Sequence, residues 1–195
     1  IDSVRRSRWP ISLEQELSRD YKVFLIGDLD VDAIRPKDIE KIRLLVENGA
    51  SVGFLGGLHS FEAGGWGSSS LGRLLPYARD PLSRQRFDEP IREDLHVKGP
   101  ITIIPDEQFG GVSILRLGQT RDDSNEVWQD LPALDGANRL PRLLPVAKTL
   151  AATETGLPLL VAREYGLGRV LVFAVDSTWR WAMQGAAGSY KQFWR

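Results

Sequence analysis

The chain has 195 residues, 42% of them hydrophobic, enough for one sizeable core and too few for two full α/β domains. Lys plus Arg number 25 and Asp plus Glu 26, and the resulting net charge of −1 argues against a dedicated nucleic-acid binder. With no cysteine and only two histidines, disulfides, thiolate metal sites, a Cys–His hydrolytic pair and a three-histidine zinc site are excluded.

No apolar run approaches the roughly 20 residues needed to span a bilayer, and no signal-peptide pattern is present. The chain opens on Ile1 and closes on the aromatic "SYKQFWR", and it reads as an excerpt of something larger.

In chain order, Tyr21–Gly27, "YKVFLIG", is a continuous apolar run of the kind buried on both faces of a parallel sheet. "RPKDIEKIRLLVENG" then predicts a helix. Pro36 suits its first position, Ile39, Ile42, Leu45 and Val46 share one face, and Asn48-Gly49 supplies the stop. "ASVGFLGG" is the next strand, and strand–helix–strand with short links is a parallel βαβ unit.

Leu71–Leu75 predicts one or two helical turns. Pro76–Pro100 is polar and proline-punctuated and reads as an extended surface excursion, followed by "ITIIP" as a strand. In "DSNEVWQDL", Asp123 three residues before Glu126 is a capping-box cue for a short helix. "LPALDGANRL" reads as a structured loop. Leu159–Tyr165 and Arg169–Val175, joined by Gly166-Leu167-Gly168, predict an antiparallel hairpin, and a terminal helix starts at Ser189.

The candidate site residues cluster after predicted strands. Gly56, Gly57, Gly64, Gly65 and Gly67 either bring backbone N–H groups to an anion or simply allow tight turns; they match neither phosphate-binding fingerprint. His59 and Ser60 are a base and a hydroxyl side by side, although neighbours in sequence rarely face each other. His96 reads as a surface or packing residue. Asp28 and Asp30 end a strand where α/β crevices collect ligands, or they hydrogen-bond their own turn. Arg139 either meets a carboxylate ligand or ties its loop to Asp176 or another internal acid. Trp179 and Trp181 share a face only if extended, and with Trp66 they are either core or a carbohydrate platform.

The succession "YKVFLIGDLD", "VGFLGGLHSFEAGGWG", "LPALDGANRL", "EYGLGRVLVFAVDSTWRW" and "KQFWR" resembles the glutamine-amidotransferase-like domain of large bacterial membrane-anchored proteins, many of which carry a von Willebrand A domain. The resemblance runs from about Arg6 onward. It implies a class I amidotransferase-like, flavodoxin-like fold: a mostly parallel sheet with helices on both faces and a C-terminal antiparallel hairpin. The whole chain, 1–195, would be one domain, lacking its first strand and helix, which would precede "RRSRWP", and the end of its last helix. Working members of the class place a cysteine on a sharp turn after a strand. By resemblance that turn is Gly53–Gly57, with Leu55 at the thiol position. An isobutyl group offers no lone pair for an acyl-enzyme. After the late strand stand Asp176, Ser177, Thr178 and Trp179 where the resemblance implies a His–Glu pair.

The expectation is therefore a catalytically inactive ligand-sensing or protein-interaction module of a membrane-anchored parent. It has no cofactor and no metal, and its partner is a small molecule or a protein. No nucleic acid is involved, and membrane contact comes only through flanking segments. Its ligand residues are Asp28, Gly56, Gly57, His59, Ser60 and Asp176. The alternatives are a hydrolase using His59 and Ser60 with an Asp, and a carbohydrate-binding module.

Overall fold

The computed structural model describes residues 10–86 and 89–195. The start of the "RRSRWP" stretch and two residues of the predicted excursion, Phe87 and Asp88, lie outside the described residues. Among the described residues, eight strands and four α-helices follow one another as β1 (Val23–Ile26), α1 (Pro36–Glu47), β2 (Ser51–Leu55), β3 (His96–Ile101), β4 (Ile104–Pro105), α2 (Arg121–Asp130), β5 (Leu134–Asn138), β6 (Lys148–Ala152), β7 (Pro158–Tyr165), β8 (Gly168–Phe173), α3 (Trp179–Met183) and α4 (Ala187–Phe193). No helix among the described residues is long and apolar enough to cross a membrane.

The main sheet has six strands in the order β1-β2-β8-β7-β6-β4, and β3 pairs with β5 in a separate two-stranded sheet. β1, β2 and β8 are parallel, whereas β8–β7, β7–β6 and β6–β4 are antiparallel. The fold is thus mixed α/β, parallel at one edge only. The expected mostly parallel sheet is corrected: three of its five strand pairings, from the hairpin β7–β8 outward to β4, are antiparallel.

Strand alternation builds two cores. Val52, Phe54, Val170 and Val172 point to the face covered by Ile39, Ile42 and Val46 of α1. Phe173 and its neighbours Leu55 and Leu171 face the other side, where Trp128 of α2, Trp181 of α3 and Phe193 of α4 pack. The helix α1 begins at Pro36 and stops at Asn48, as its sequence dictates. The hairpin turns at Gly166, whose φ of +58° suits glycine.

Several expectations need correction. β1 is the outermost strand, so Val23 and Leu25 are 58% and 60% exposed, not buried on both faces. "ITIIP" is not one strand: Ile101 ends β3, while Ile104–Pro105 joins β6. "LPALDGANRL" contains β5, a strand and not a loop. The capping box of α2 is Thr120 with Asp123, which places Asp123 at the third helical position rather than at the cap. The excursion after Pro76 does not stay on the surface, since Tyr77, Ser83 and Gln85 are buried.

Candidate functional site

The carboxyl ends of β1, β2 and β8 converge on one side of the sheet, where open α/β sheets bind ligands. Asp28 follows β1, Gly56 and Gly57 follow β2, and Asp176 follows β8. The small sheet β3–β5 lies against this edge, because the Asn138 N–H donates to the Ala174 carbonyl at 2.7 Å. Between them is a pocket of about 240 Å³ lined by Gly57, His96, Lys98, Asp135, Asn138 and Asp176 among others.

Asn138 fixes the floor of the pocket. Its Oδ1 accepts the Gly57 N–H at 2.9 Å, and its Nδ2 donates to the Gly57 carbonyl at 2.8 Å. Both groups are buried, so the side chain serves as a two-bond splint between β5 and the loop after β2. Gly57 has φ +148°, and a Cβ there would collide with Asp28. Asp28 in turn accepts the His59 main-chain N–H at 2.5 Å.

His96 is half-buried, with Nδ1 3.5 Å from Asn138 Nδ2. Its Nε2 has no hydrogen-bond partner among the described residues. Burial pushes the imidazole below its ordinary value, while Asp28, Asp176 and Asp94 pull it back up. Lys98 is paired with Glu93 at 3.0 Å and Asp135 with Arg180 at 2.6 Å. Asp176 is exposed and enters no ion pair among the described residues.

The structure brings together Gly56, Gly57, Asp28 and Asp176 from the expected set. Ser60 is 2% exposed, and it lines a separate cavity of about 20 Å³ with Glu62 and Ser83. Neither His59 nor Ser60 lines the pocket. Leu55 is the last residue of β2, paired with Phe173, and the Gly56 N–H still bonds to the Val175 carbonyl. The chain therefore turns at Gly57, and no sharp elbow presents residue 55. Asp30 holds its own turn through the Asp32 N–H and is buried against Arg84 at 2.6 Å. Arg139 forms no ion pair with Asp176.

The tryptophans form no platform. Trp66 and Trp181 are 0% and 1% exposed, each indole N–H donating to a backbone carbonyl, and only Trp179 of the three is open to solvent. The sequence reading took His96 as a surface or packing residue and did not single out Lys98 or Asn138. His96 and Asn138 are 42 residues apart in segments without periodicity, and only the β3–β5 pairing joins them.

No protein-family model matches the chain, and no curated protein matches it. In structure it is similar to Cytoplasmic Protein STM3548 from Salmonella typhimurium, with 21% identity and a TM-score of 0.66 over 96% of this chain and 74% of that one. It is also similar to Cytoplasmic Protein STM1381 from Salmonella typhimurium LT2, with 21% identity and a TM-score of 0.60 over 89% of this chain and 69% of that one. Likeness at this identity establishes a shared fold. These neighbours overturn the resemblance to the glutamine-amidotransferase-like domain, because neither of them carries such a description.

Proposed function

We propose that the domain is a binding module that holds a small polar ligand in the pocket beyond β1, β2 and β8. The observation that carries this reading is the combination of a rigid floor and unspent hydrogen-bonding capacity. Asn138 and Gly57 lock each other, while His96 Nε2 and the Asp176 carboxylate are left without protein partners among the described residues. No hydroxyl or thiol side chain lines the pocket among the described residues, and its polar lining is His96, Lys98, Asp135, Asn138 and Asp176.

A flavodoxin-like, doubly wound core goes with this reading. Its support is the parallel trio β1, β2 and β8 with α1 on one face and α3 and α4 on the other. The membrane-anchored parent rested on the amidotransferase resemblance and loses its basis with it.

The test is an amide-resolved titration with amino acids, monosaccharides, polyamines, nucleotides and inorganic phosphate. At least one class is expected to shift the amides of Gly57, Lys98 and Gly136, and Asp176→Asn together with His96→Gln is expected to weaken that response tenfold or more. If no class perturbs these amides, or if the double substitution leaves the response unchanged, the pocket is not a binding site.

A further inference from the structure

Glu62 is a buried carboxyl that the pocket does not use. It sits in the loop after β2, beside Phe61 and Trp66 of the first core, and is 4% exposed. Its Oε2 accepts the Asp80 main-chain N–H at 3.2 Å. Its Oε1 has no partner among the described residues and lies so close to Gly67 that a Cβ there would not fit. The Tyr77 hydroxyl, 2% exposed, is also without a partner.

Tyr77, Arg79 and Asp80, which interact electrostatically or by hydrogen bond with Glu62, belong to one segment, Tyr77–Arg84, which crosses the loop like a strap. Both ends of the strap are fastened independently. At one end Tyr77 bridges to Leu143, and the Ala78 N–H donates to the Arg142 carbonyl at 2.8 Å. At the other, Arg84 holds Asp30 at 2.6 Å and the Ala63 carbonyl at 2.7 Å. The middle is tied by the Asp80 N–H to Glu62, and by Arg79 to the Ser68 hydroxyl at 3.0 Å. The titratable and charged groups facing Glu62 are Tyr77, Arg79 and Asp80, and the exposed Arg139 lines the small cavity that Glu62 shares with Ser60 and Ser83. None of them forms an ion pair with Glu62 among the described residues, and Arg79 is exposed.

A carboxylate left in this position would be expensive, since Oε1 has no donor and no cation is buried with it. The cavity of about 20 Å³ that Glu62 lines has room for one water at most, so full hydration of an ionised carboxylate needs the strap or the loop to move. We propose that Glu62 is a proton-operated fastener, neutral while the strap is closed, and that its ionisation releases the middle of the strap, Arg79–Ser83. Burial raises the Glu62 carboxyl above its ordinary value, and the neighbouring Asp80 charge adds to this. The Asp80 N–H and Arg79 oppose it. The closed strap binds the proton more tightly than the open one. Its stability is therefore fully present below the ordinary carboxylate range and is lost as pH rises through the raised value.

Hydrogen exchange of the intact chain from pH 4.5 to 8, corrected for the intrinsic pH dependence, tests this directly. Protection of the Asp80, Leu82 and Ser83 amides is expected to fall by up to about tenfold per pH unit between the ordinary carboxylate value and the raised Glu62 midpoint, and to level off above that midpoint. Protection at Val52 and Val172 in the central strands stays flat. In Glu62→Gln the strap amides hold their protection within about twofold across the range, because an amide has no proton to lose. A flat wild-type profile, or parallel profiles for wild type and variant, overturns the proposal. Should Glu62→Gln not fold, the carboxyl ¹³C titration of Glu62 in the wild type decides. An upward-displaced midpoint supports the fastener, and an ordinary carboxylate midpoint overturns it.

Discussion

Gly57 and Asn138 depend on each other more than on any other pair at the pocket. The backbone at Gly57 is free to adopt φ +148° only without a side chain, and both of its polar groups end on one amide. Replacing Asn138 by Ala leaves the Gly57 N–H and carbonyl buried and unpaired, at about 1–3 kcal/mol for each group. Urea denaturation should thus show a loss of about 2–6 kcal/mol, well above the effect of an ordinary surface change. Gly57→Ala forces Asp28 aside and is expected to break its bond to His59. The amide shift of His59 reports that rupture. His96 gives a second prediction with a definite sign. Burial lowers its imidazole, so the folded state holds a proton there less readily than the unfolded chain does. Acidification through the ordinary imidazole value, about 6.5, therefore costs the wild type stability at this residue. His96→Gln removes that cost. The gap between wild-type and variant urea midpoints should move in the variant's favour from pH 7.5 to 5.5. The comparison isolates His96 from Glu62, whose contribution has the opposite sign and is common to both proteins.

At the level of elements, α2 shows how a right cue can be attached to the wrong residue. Thr120 Oγ1 accepts the Asp123 N–H at 3.1 Å and the Asp123 carboxylate accepts the Thr120 N–H at 3.0 Å, so the box begins three residues before the Asp read as its start. Thr120→Ala should cost about 1 kcal/mol by denaturant unfolding, the usual worth of a cap. Elements with strong local chemistry were legible. α1 carries Pro36, the Ile39–Ile42–Val46 stripe and Asn48-Gly49, and β7–β8 carries two apolar runs around Gly166-Leu167-Gly168. β5, "LDGAN", has no β-branched residue and a central Gly136, and β6, "KTLAA", ends on two alanines. Both are strands because partners stand beside them, which no local pattern records. β1 failed in a different way. An apolar run of four residues shows that a strand forms, but not that a neighbour covers its second face. The candidate site was legible only where a strand end announced it, at Asp28, Gly56-Gly57 and Asp176. Its other wall, His96 and Asn138, comes from the β3–β5 pairing across more than forty residues of sequence.

Across the whole molecule, the question is whether the two cores, one on each face of the main sheet, behave as separate units. Their construction says that they do not. β8 sends Val170 and Val172 to one core and Phe173 to the other from consecutive positions, and Leu140 packs against both. Neither core can lose its wall without removing the wall of the other, so unfolding should be a single cooperative event. Ile42→Val trims one buried methyl group from the α1 side and should cost about 1 kcal/mol. Leu134→Ala opens a cavity on the opposite side and should cost about 2–5 kcal/mol. Because the two residues lie on opposite faces and share no partner cluster, the double variant should equal the sum of the singles within about 0.5 kcal/mol. Each variant should still unfold in one step with an unchanged denaturant slope. A biphasic curve in Leu134→Ala, with tryptophan fluorescence and far-ultraviolet dichroism no longer coincident, would mean that the Trp128–Trp181–Phe193 core melts by itself and that the sheet does not transmit its loss.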